Sequence, residues 1–334
     1  MSKYYPAVAY HCASQRPQAA MGQHETIRSF FSKFAAGVTL CLAAIGAIGT
    51  AHAADVDPAT PLKVVITDLP PYVHKAANGQ LDGIDGKLFD QAAHQLGFKY
   101  TVTVTNWDGM LAAVQSGRAD LAVSDVAWTD ARAKTGLFSD PAYYLPQLIA
   151  ERDGVNIRTV ADLSGHSVGV INGQSYVDAL TNVDGVKMRL YPDTVALLSD
   201  IAAGRVDVAF MDPLVMVYQK KVRPDLHFNV VPLAAPTMSD VAAHPKWALF
   251  GPQMIGWYVR PGAQQLVDKL NGEIRKAWAQ GNNAVQIKAV GVPDATPFLS
   301  PGAEWLQTYE KQRRGVDRPA DWIPPSSDSA VAKK

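Results

Sequence analysis

The chain has 334 residues, with 31 basic and 31 acidic residues, two cysteines and a hydrophobic fraction of 48%. The lack of net charge argues against a protein that binds nucleic acid by neutralising phosphates. A charged content of 19% and ordinary amounts of glycine and proline argue against a disordered chain. The length suits two lobes, each with a sizeable core of its own.

An uncharged run of small and apolar residues lies near the beginning of the chain, at residues 34–48. Arg28 and Lys33 precede this run, and Ala51-His52-Ala53 follows it with the small-x-small form of a signal-peptidase site. A buried or membrane-spanning helix is the alternative, but the run is shorter than the roughly 18 residues that a bilayer requires. We therefore predict a secretory signal peptide at residues 1–53, with Met21 as an alternative start.

Removal of this leader changes the composition of the chain that remains. Both cysteines, Cys12 and Cys41, lie in the leader, so the mature chain is expected to contain no disulfide. The leader also carries four basic residues and one acidic residue, which leaves 27 basic and 30 acidic residues in the mature chain. The mature protein is therefore expected to be exported, soluble and mildly acidic.

Strand and helix patterns alternate in the first part of the mature chain. Apolar β-branched runs indicate strands, and apolar residues at helical spacing indicate helices between them. The predicted elements are strands at Leu62–Thr67, Tyr100–Thr105 and Ala119–Ser124 and helices at Lys87–Leu96 and Asp108–Ser116. This order is typical of α/β proteins in which helices flank a parallel sheet.

The same plan recurs in the second part, with strands at Ser167–Ile171, Lys187–Tyr191 and Val206–Met211 and helices at Ser175–Leu180 and Thr194–Ala203. Residues 117–123 also resemble residues 204–210, because both contain Gly-Arg-x-Asp. In each copy a second aspartate, Asp125 or Asp212, follows the first by five residues, at the carboxyl end of the predicted strand. Ligands bind at this edge of open α/β sheets, so two facing lobes would bring both aspartates to one cleft. The alternative is that both are exposed loop acids.

Two extended segments, at residues 143–150 and 254–260, are predicted to be crossovers that permit hinge closure. They divide the mature chain into two predicted lobes, residues 62–148 plus 254–300 and residues 149–253. Residues 301–334 form a C-terminal extension. It is predicted to contain a helix near residues 304–313 and a disordered tail rich in proline and serine.

Several short motifs follow one another between residues 62 and 292. They are Asn106-Trp107-Asp108, Gly117-Arg118-Ala119-Asp120, Trp128-Thr129-Asp130-Ala131-Arg132, Phe138-Ser139-Asp140-Pro141, Asp162-Leu163-Ser164-Gly165 and Gly204-Arg205-Val206-Asp207. Their order and spacing resemble the periplasmic solute-binding proteins of polar amino-acid ABC transporters, family 3 of the extracellular solute-binding proteins. The resemblance implies an α/β fold with two lobes, each a mostly parallel sheet flanked by helices, and a ligand cleft between them. It also implies a periplasmic monomer that delivers its ligand to an inner-membrane ABC permease.

The resemblance implies roles for two charged residues. Arg132 holds the position of the arginine that binds the ligand's α-carboxylate, for which a guanidinium offers two parallel N–H donors. Asp212 corresponds to the acid that receives the α-ammonium group. The alternative for Arg132 is a surface arginine paired with a neighbour such as Asp130.

Four further residues are implied to contact the ligand. Gly173 and Ser175 mark a strand-to-helix turn whose serine hydroxyl and N–H would bind the same carboxylate. Trp107 and Tyr72 are candidate apolar walls of the cleft. The alternative for Trp107 is a core position beside the helix that it precedes.

The chain departs from the family pattern at Asp125 and Ala127, where family members usually have serine or glycine and then serine or threonine. Asp125 brings negative charge near Arg132, which weakens the binding of an anion unless the ligand also carries positive charge. Asp68, at the end of the first strand, is a second acid in a position to contact a cationic side chain. These acids predict a basic or otherwise cationic ligand, an interpretation that would fail if Asp125 paired only with Arg132.

Other kinds of site lack support in the sequence. The histidines after the leader lack the spacing of a zinc site, and no phosphate loop, dinucleotide fingerprint or nucleophile elbow occurs. We therefore expect no metal, no cofactor and no nucleic-acid partner. The predicted function is capture of a zwitterionic amino acid for import. The alternatives are an enzyme like the cyclohexadienyl or arogenate dehydratases, with Asp125 or Asp212 as general acid, and a ligand-sensing module.

Overall fold

The computed structural model describes residues 60–292, 294–314 and 316, so the predicted signal peptide and the predicted disordered tail lie outside it. The strands are β1 Leu62–Ile66, β2 His74–Lys75, β3 Leu81–Asp82, β4 Tyr100–Val104, β5 Leu121–Ala122, β6 Leu137–Phe138, β7 Tyr143–Leu145, β8 Leu148–Glu151, β9 Ser167–Ile171, β10 Lys187–Tyr191, β11 Val208–Phe210, β12 Asn229–Pro232, β13 Gln253–Ile255 and β14 Tyr258–Val259. The α-helices are α1 Ile84–Gln95, α2 Trp107–Gln115, α3 Asp130–Ala133, α4 Ser175–Leu180, α5 Thr194–Ala202, α6 Pro213–Val222, α7 Met238–Ala243, α8 Gln264–Gln280, α9 Asn282–Ala289, α10 Thr296–Leu299 and α11 Ala303–Arg314. In this part of the chain, no helix combines the length and the apolar character that crossing a membrane requires.

Two five-stranded sheets form the centres of two lobes. The strand order is β4-β1-β5-β14-β6 in the first sheet and β10-β9-β11-β8-β12 in the second. β1 runs parallel to β4 and β5, and in the same way β9 runs parallel to β10 and β11. The two copies of the strand and helix pattern thus form two similar sheets, which confirms the predicted α/β fold with two lobes.

Four of the five strands in each sheet run in the same direction, as predicted, and one strand runs the opposite way. β14 is antiparallel to β5 and β6, and β8 is antiparallel to β11 and β12. Both strands come directly from the crossover segments and enter their sheets at the edge where the parallel strands end. They therefore run away from that edge, in the direction opposite to the parallel strands.

The two crossover segments pair with each other. β7 and β13 form an antiparallel ribbon in which Tyr143 is opposite Ile255. Only two residues separate β7 from β8. Leu148, which was predicted to belong to lobe 1, is the first residue of β8 and pairs with Pro232 in the second sheet. The other predicted lobe boundaries stay predictions.

The helix predicted near residues 304–313 is present as α11, and its inner side chains are buried. The ring of Trp305 packs against Gly251, and its indole N–H donates to the carbonyl of Pro236 at 3.2 Å. The hydroxyl of Tyr309 donates to the carbonyl of Pro252. α11 therefore covers the segment that leads from the second sheet back to the ribbon.

The first aspartate of each duplicated pattern joins strands within its own lobe. Asp120 accepts the backbone N–H of Lys63 on β1 at 2.8 Å and the Nε of Arg260 at 2.9 Å. Arg260 directly follows β14, the strand that returns from the ribbon. The carboxylate thus fixes the returning strand to the parallel part of the sheet.

The second lobe repeats this arrangement. Asp207 accepts the backbone N–H of Ser167 on β9 at 2.9 Å and the Nε of Arg152 at 2.7 Å. Arg152 directly follows β8, which is the returning strand of this lobe. The duplication in the sequence therefore extends to an aspartate in each sheet that bonds the returning strand to a parallel strand.

Asp207→Asn is expected to lower the free energy of unfolding by about 1 kcal/mol at neutral pH. Burial raises the pKa of Asp207, but hydrogen bonds from Ser167 and Arg152 outweigh burial and lower the pKa to about 2. Because this value lies below that of the unfolded chain, about 3.9, the stabilisation is present above about pH 4 and is lost as the pH falls toward 2. Urea unfolding measured across this range tests the prediction.

The matched control is Asp225→Asn, which removes an exposed carboxylate that pairs with Arg223, two residues away. This variant should unfold like the natural protein. If Asp207→Asn lost the same stability at pH 2 as at pH 7, the loss would not come from the charge of Asp207.

Candidate ligand-binding site

The carboxyl ends of β5 and β11 meet between the lobes and bring together the second aspartates of the duplicated pattern. Asp125 lies three residues beyond β5, and Asp212 lies two residues beyond β11. The charge of Asp212 raises the pKa of Asp125, so the two carboxyl groups are close although the residues belong to different lobes. Asp125 is buried and Asp212 is half-buried, so solvent reaches this pair only in part.

Tyr72 links the lobes at the same point. Its side chain is fully buried, and its hydroxyl donates to Oδ1 of Asp212 at 2.6 Å. The hydroxyl oxygen also accepts the backbone N–H of Leu214 at 3.3 Å. Asp212 caps α6 by accepting the N–H of Val215 at 3.3 Å, so the helix start fixes its carboxylate.

Two residues that the sequence motifs did not identify hold Asp125 in position. Asp125 has a φ of 51°, a left-handed conformation that is uncommon for residues other than glycine. Asp85, which is 1% exposed, accepts the backbone N–H of Asp125 on Oδ2 at 2.6 Å. The hydroxyl of Tyr143 on β7 lies 3.1 Å from Oδ1 of Asp125 and 3.2 Å from Oδ2 of Asp85.

Burial raises the pKa of all three carboxyl groups. It raises the pKa of Asp85 to about 7, and for Asp125 the charges of Asp212 and Asp85 raise the pKa further. For Asp212, the hydrogen bonds from Tyr72 and the start of α6 oppose the effect of burial on the pKa without cancelling it. In the described part of the chain no three side chains are arranged to hold a metal ion. Three acids in one shielded site favour bound protons or an organic cation.

Arg132 lies on the short helix α3, beside these acids. Thr129 caps α3 by accepting the backbone N–H of Arg132 at 3.2 Å, and Nη1 of Arg132 donates to the carbonyl of Ala127 at 2.7 Å. Asp130, the alternative partner, pairs with Lys134 at 2.5 Å. Arg132 is therefore not a surface arginine paired with Asp130.

Asp125 does not pair only with Arg132. Its carboxyl group contacts the hydroxyl of Tyr143, and the charge of Asp212 also acts on it. Burial lowers the pKa of the Arg132 guanidinium, and the nearby charge of Asp125 opposes this effect. The condition that would refute a cationic ligand is not met, and that ligand class stays a prediction.

Trp107 and Ala127 both contact the Arg132 side chain. The guanidinium carbon is 5.3 Å from the centre of the Trp107 ring, a cation–π distance. Trp107 is also half-buried against the core of lobe 1, which fits the core alternative, and its role as a wall of the ligand cleft stays a prediction. Ala127 supplies a backbone carbonyl and forms a bridge with Ile255 of β13.

Asp68 is the other acid that was expected near a cationic side chain, and this role stays a prediction. It is exposed and lines a separate cavity of about 440 Å³ together with Lys75, Lys87 and Lys221. The preceding residue, Thr67, directs its hydroxyl to Ser124 at the strand edge, 2.5 Å away. Asp68 follows Thr67 beyond the end of β1.

Gly173 and Ser175 lie in the exposed turn between β9 and α4. Gly173 has a φ of 82°, and Ser175 is the first residue of α4. The next residue, Tyr176, is buried, and burial together with the charges of Asp212 and Asp125 raises its pKa. The turn thus lies near the acidic cluster, and the contacts predicted for Gly173 and Ser175 stay predictions.

Comparison with known proteins identifies relatives of this chain. The profile of the bacterial extracellular solute-binding proteins, family 3, matches residues 62–287. The L-cystine-binding protein TcyJ of Escherichia coli (strain K12) is 34% identical over 148 residues, which are 43% of this chain and 56% of that protein. The chain thus spans little more than half the length of this curated relative.

Solved structures share the two-lobed architecture. An ancestral arginine-binding protein bound to arginine matches with a TM-score of 0.53 and 26% identity, over 70% of this chain and 98% of that one. The ancestral amino acid-binding protein AncCDT-1, a precursor of cyclohexadienyl dehydratase, matches with a TM-score of 0.52 and 24% identity, over 69% of this chain and 94% of that one. The second likeness concerns the fold alone.

Proposed function

The chain belongs to the bacterial extracellular solute-binding proteins, family 3, and on that premise we propose that it captures an amino acid between its lobes for import by an ABC permease. The observation that carries the proposal is the meeting of opposite charges from two lobes. Arg132 lies on lobe 1 and Asp212 on lobe 2, and Asp125 is near both. An amino acid offers an α-carboxylate to the guanidinium and an α-ammonium group to Asp212.

The surplus of acid over base favours an amino acid with a cationic side chain. Once Arg132 and Asp212 bind the α groups of the ligand, Asp125 is a further shielded acid without a counterion. An uncompensated carboxylate in such a site is costly, so a second cation on the ligand stabilises the complex. The likeness to an arginine-binding protein at 26% identity supports a cationic amino acid. Cystine, which the name of the curated relative gives as its ligand, is the alternative ligand.

The proposed route of the ligand follows from the hinge. Tyr72 and Asp212 are in direct contact across the lobes, so the lobes must part before a ligand reaches Asp212. The β7–β13 ribbon joins the lobes along two strands and permits this movement. The predicted signal peptide would direct the protein to the periplasm, where as a monomer it would pass the ligand to the permease.

An enzyme is the second candidate, because carboxyl groups with raised pKa are suited to general acid catalysis. Asp125 and Asp212 both have this property. AncCDT-1 is described as a precursor of a dehydratase, but its likeness concerns the fold alone. The curated relative is a binding protein, which favours binding over catalysis.

A thermal-shift screen with the twenty amino acids, ornithine and cystine tests the proposal on the exported protein. Binding stabilises the folded state by RT ln(1 + [L]/Kd), so a ligand with a micromolar Kd should add about 4 kcal/mol at millimolar concentration. We expect the largest shift with arginine, lysine or ornithine.

The same preparation should be assayed for loss of prephenate and arogenate. A shift with an amino acid and no turnover supports capture for import. Turnover without a shift from any amino acid would replace the proposal with the dehydratase function.

A further inference from the structure

Tyr143 lies between two carboxyl groups but has one proton to donate. Its hydroxyl is 3.1 Å from Oδ1 of Asp125 and 3.2 Å from Oδ2 of Asp85. An ionised carboxylate only accepts hydrogen bonds, so both contacts are hydrogen bonds only if one carboxyl group carries a proton and donates it to the Tyr143 oxygen. The geometry therefore favours a bound proton on Asp85 or Asp125.

The charge of Asp212 favours the same conclusion. Two ionised carboxylates close together in a site of low polarity repel each other, so Asp212 favours a proton on Asp125. Tyr72 cannot supply that proton, because it already donates its own to Asp212. The network formed by Asp85, Tyr143, Asp125, Asp212 and Tyr72 thus contains more acceptors than donors.

The surroundings of the network contribute little positive charge. Asp85 is 1% exposed, and its Oδ1 has no hydrogen-bond partner among the described residues, so ionisation would leave that oxygen buried and uncompensated. Tyr176 of α4 is neutral at ordinary pH. Arg132 of α3 is the cation that acts on Asp125, and its guanidinium is bonded to the carbonyl of Ala127.

We propose that this network holds a proton in the free protein and exchanges it for the cationic side chain of the ligand. The proposal rests on the proposed function, because it requires a cationic amino acid as ligand. A proton leaves Asp125 for solvent when the ligand's cation arrives, so that the total charge of the site is conserved. Asp85 and Tyr143 are positioning residues: they hold Asp125 by its N–H and its carboxyl group and do not themselves contact the ligand.

The direction of the pH dependence follows from the charges. Burial and the charges of Asp212 and Asp85 raise the pKa of Asp125 in the free protein, and a bound cation would lower it. Affinity therefore increases with pH, by up to about tenfold per pH unit for each proton released. Because Asp125 is buried and lies beside other acids, the increase should extend well above the usual pKa of an aspartate.

Isothermal titration calorimetry with L-arginine tests the exchange, because a released proton adds the buffer's ionisation enthalpy to the measured heat. At pH 6 we expect about one proton released per arginine, and at pH 8.5 much less. Tyr143→Phe should still bind arginine, but the number of protons released per arginine at pH 6 should be smaller. Tyr144→Phe, which alters a buried hydroxyl on the same strand without a hydrogen-bond partner in the described part of the chain, is the matched control and should behave like the natural protein.

Carbon-13 NMR of the aspartate carboxyl groups in the ligand-free protein separates this proposal from the proposed function. A bound proton is supported if some resonances titrate with a pKa well above the usual value of about 3.9. Tyr143→Phe should shift the pKa of these resonances. Arginine binding with the same heat in every buffer, or carboxyl groups that all titrate near 4, would refute the exchange and leave the binding function intact. Failure of every amino acid to bind would refute the binding function, and the NMR titration would still decide whether the proton is present.

Discussion

Arg132→Ala is expected to raise the Kd of the amino-acid ligand by between about 30-fold and several thousandfold, the equivalent of about 2–5 kcal/mol. Arg132 is the cation beside the acidic cluster, and it is held by the carbonyl of Ala127 and the ring of Trp107. Its loss leaves the ligand's α-carboxylate without a counterion in a shielded site that contains three acids. Calorimetry with the best ligand of the screen measures the change.

Two further variants make this test specific. Arg132→Lys retains the charge but loses the planar fork, so its Kd should lie between those of the natural protein and Arg132→Ala. Lys134→Ala alters an exposed cation two residues away on the surface and should bind normally. An unchanged Kd in Arg132→Ala would show that this residue does not bind the ligand.

Trp305→Ala is expected to lower the free energy of unfolding by about 3–5 kcal/mol. The Trp305 ring is 8% exposed, packs against Gly251 and donates its N–H to the carbonyl of Pro236. Its removal leaves a cavity under α11 and an unpaired carbonyl. Residues 62–287 match the family profile, so this variant also tests whether a helix outside that match belongs to the folded unit. Chemical unfolding followed by circular dichroism measures the loss.

Gln307→Ala is the matched control, since Gln307 is exposed on the same helix. Its unfolding free energy should stay within about 0.5 kcal/mol of that of the natural protein. A loss below about 1 kcal/mol in Trp305→Ala would indicate that α11 contributes little to the stability of the fold.

The sequence predicted the bounds of strands and helices best where turn residues flank them. β9 and β10 have the predicted bounds, and α4 begins at the predicted Ser175, because turn residues such as Gly173, Gly185 and Pro192 flank them. α1 begins at Ile84, three residues before the predicted start, because Gly83 with a φ of 92° precedes it. A glycine at a helix start carries no cap signal in its side chain, so the pattern alone could not locate this boundary.

The site was predictable in part for a similar reason. Arg132 and Asp212 stand in recognisable motifs, and the structure has both near Asp125. Asp85 and Tyr143 are 40 and 18 residues from Asp125 along the chain, and no periodic pattern connects residues so far apart. The only signal for Asp85 was a charged residue within Gly83-Ile84-Asp85-Gly86, at the apolar start of a helix.

The ribbon and the helix α11 together limit how the lobes can move. The ribbon continues into the second lobe through Pro146–Gln147 on one path and Gly251–Pro252 on the other. Proline fixes φ, so these links retain few adjustable backbone torsions between them. α11 contacts both residues of the second link. The rotation that admits a ligand should therefore occur about a single axis near Gln147.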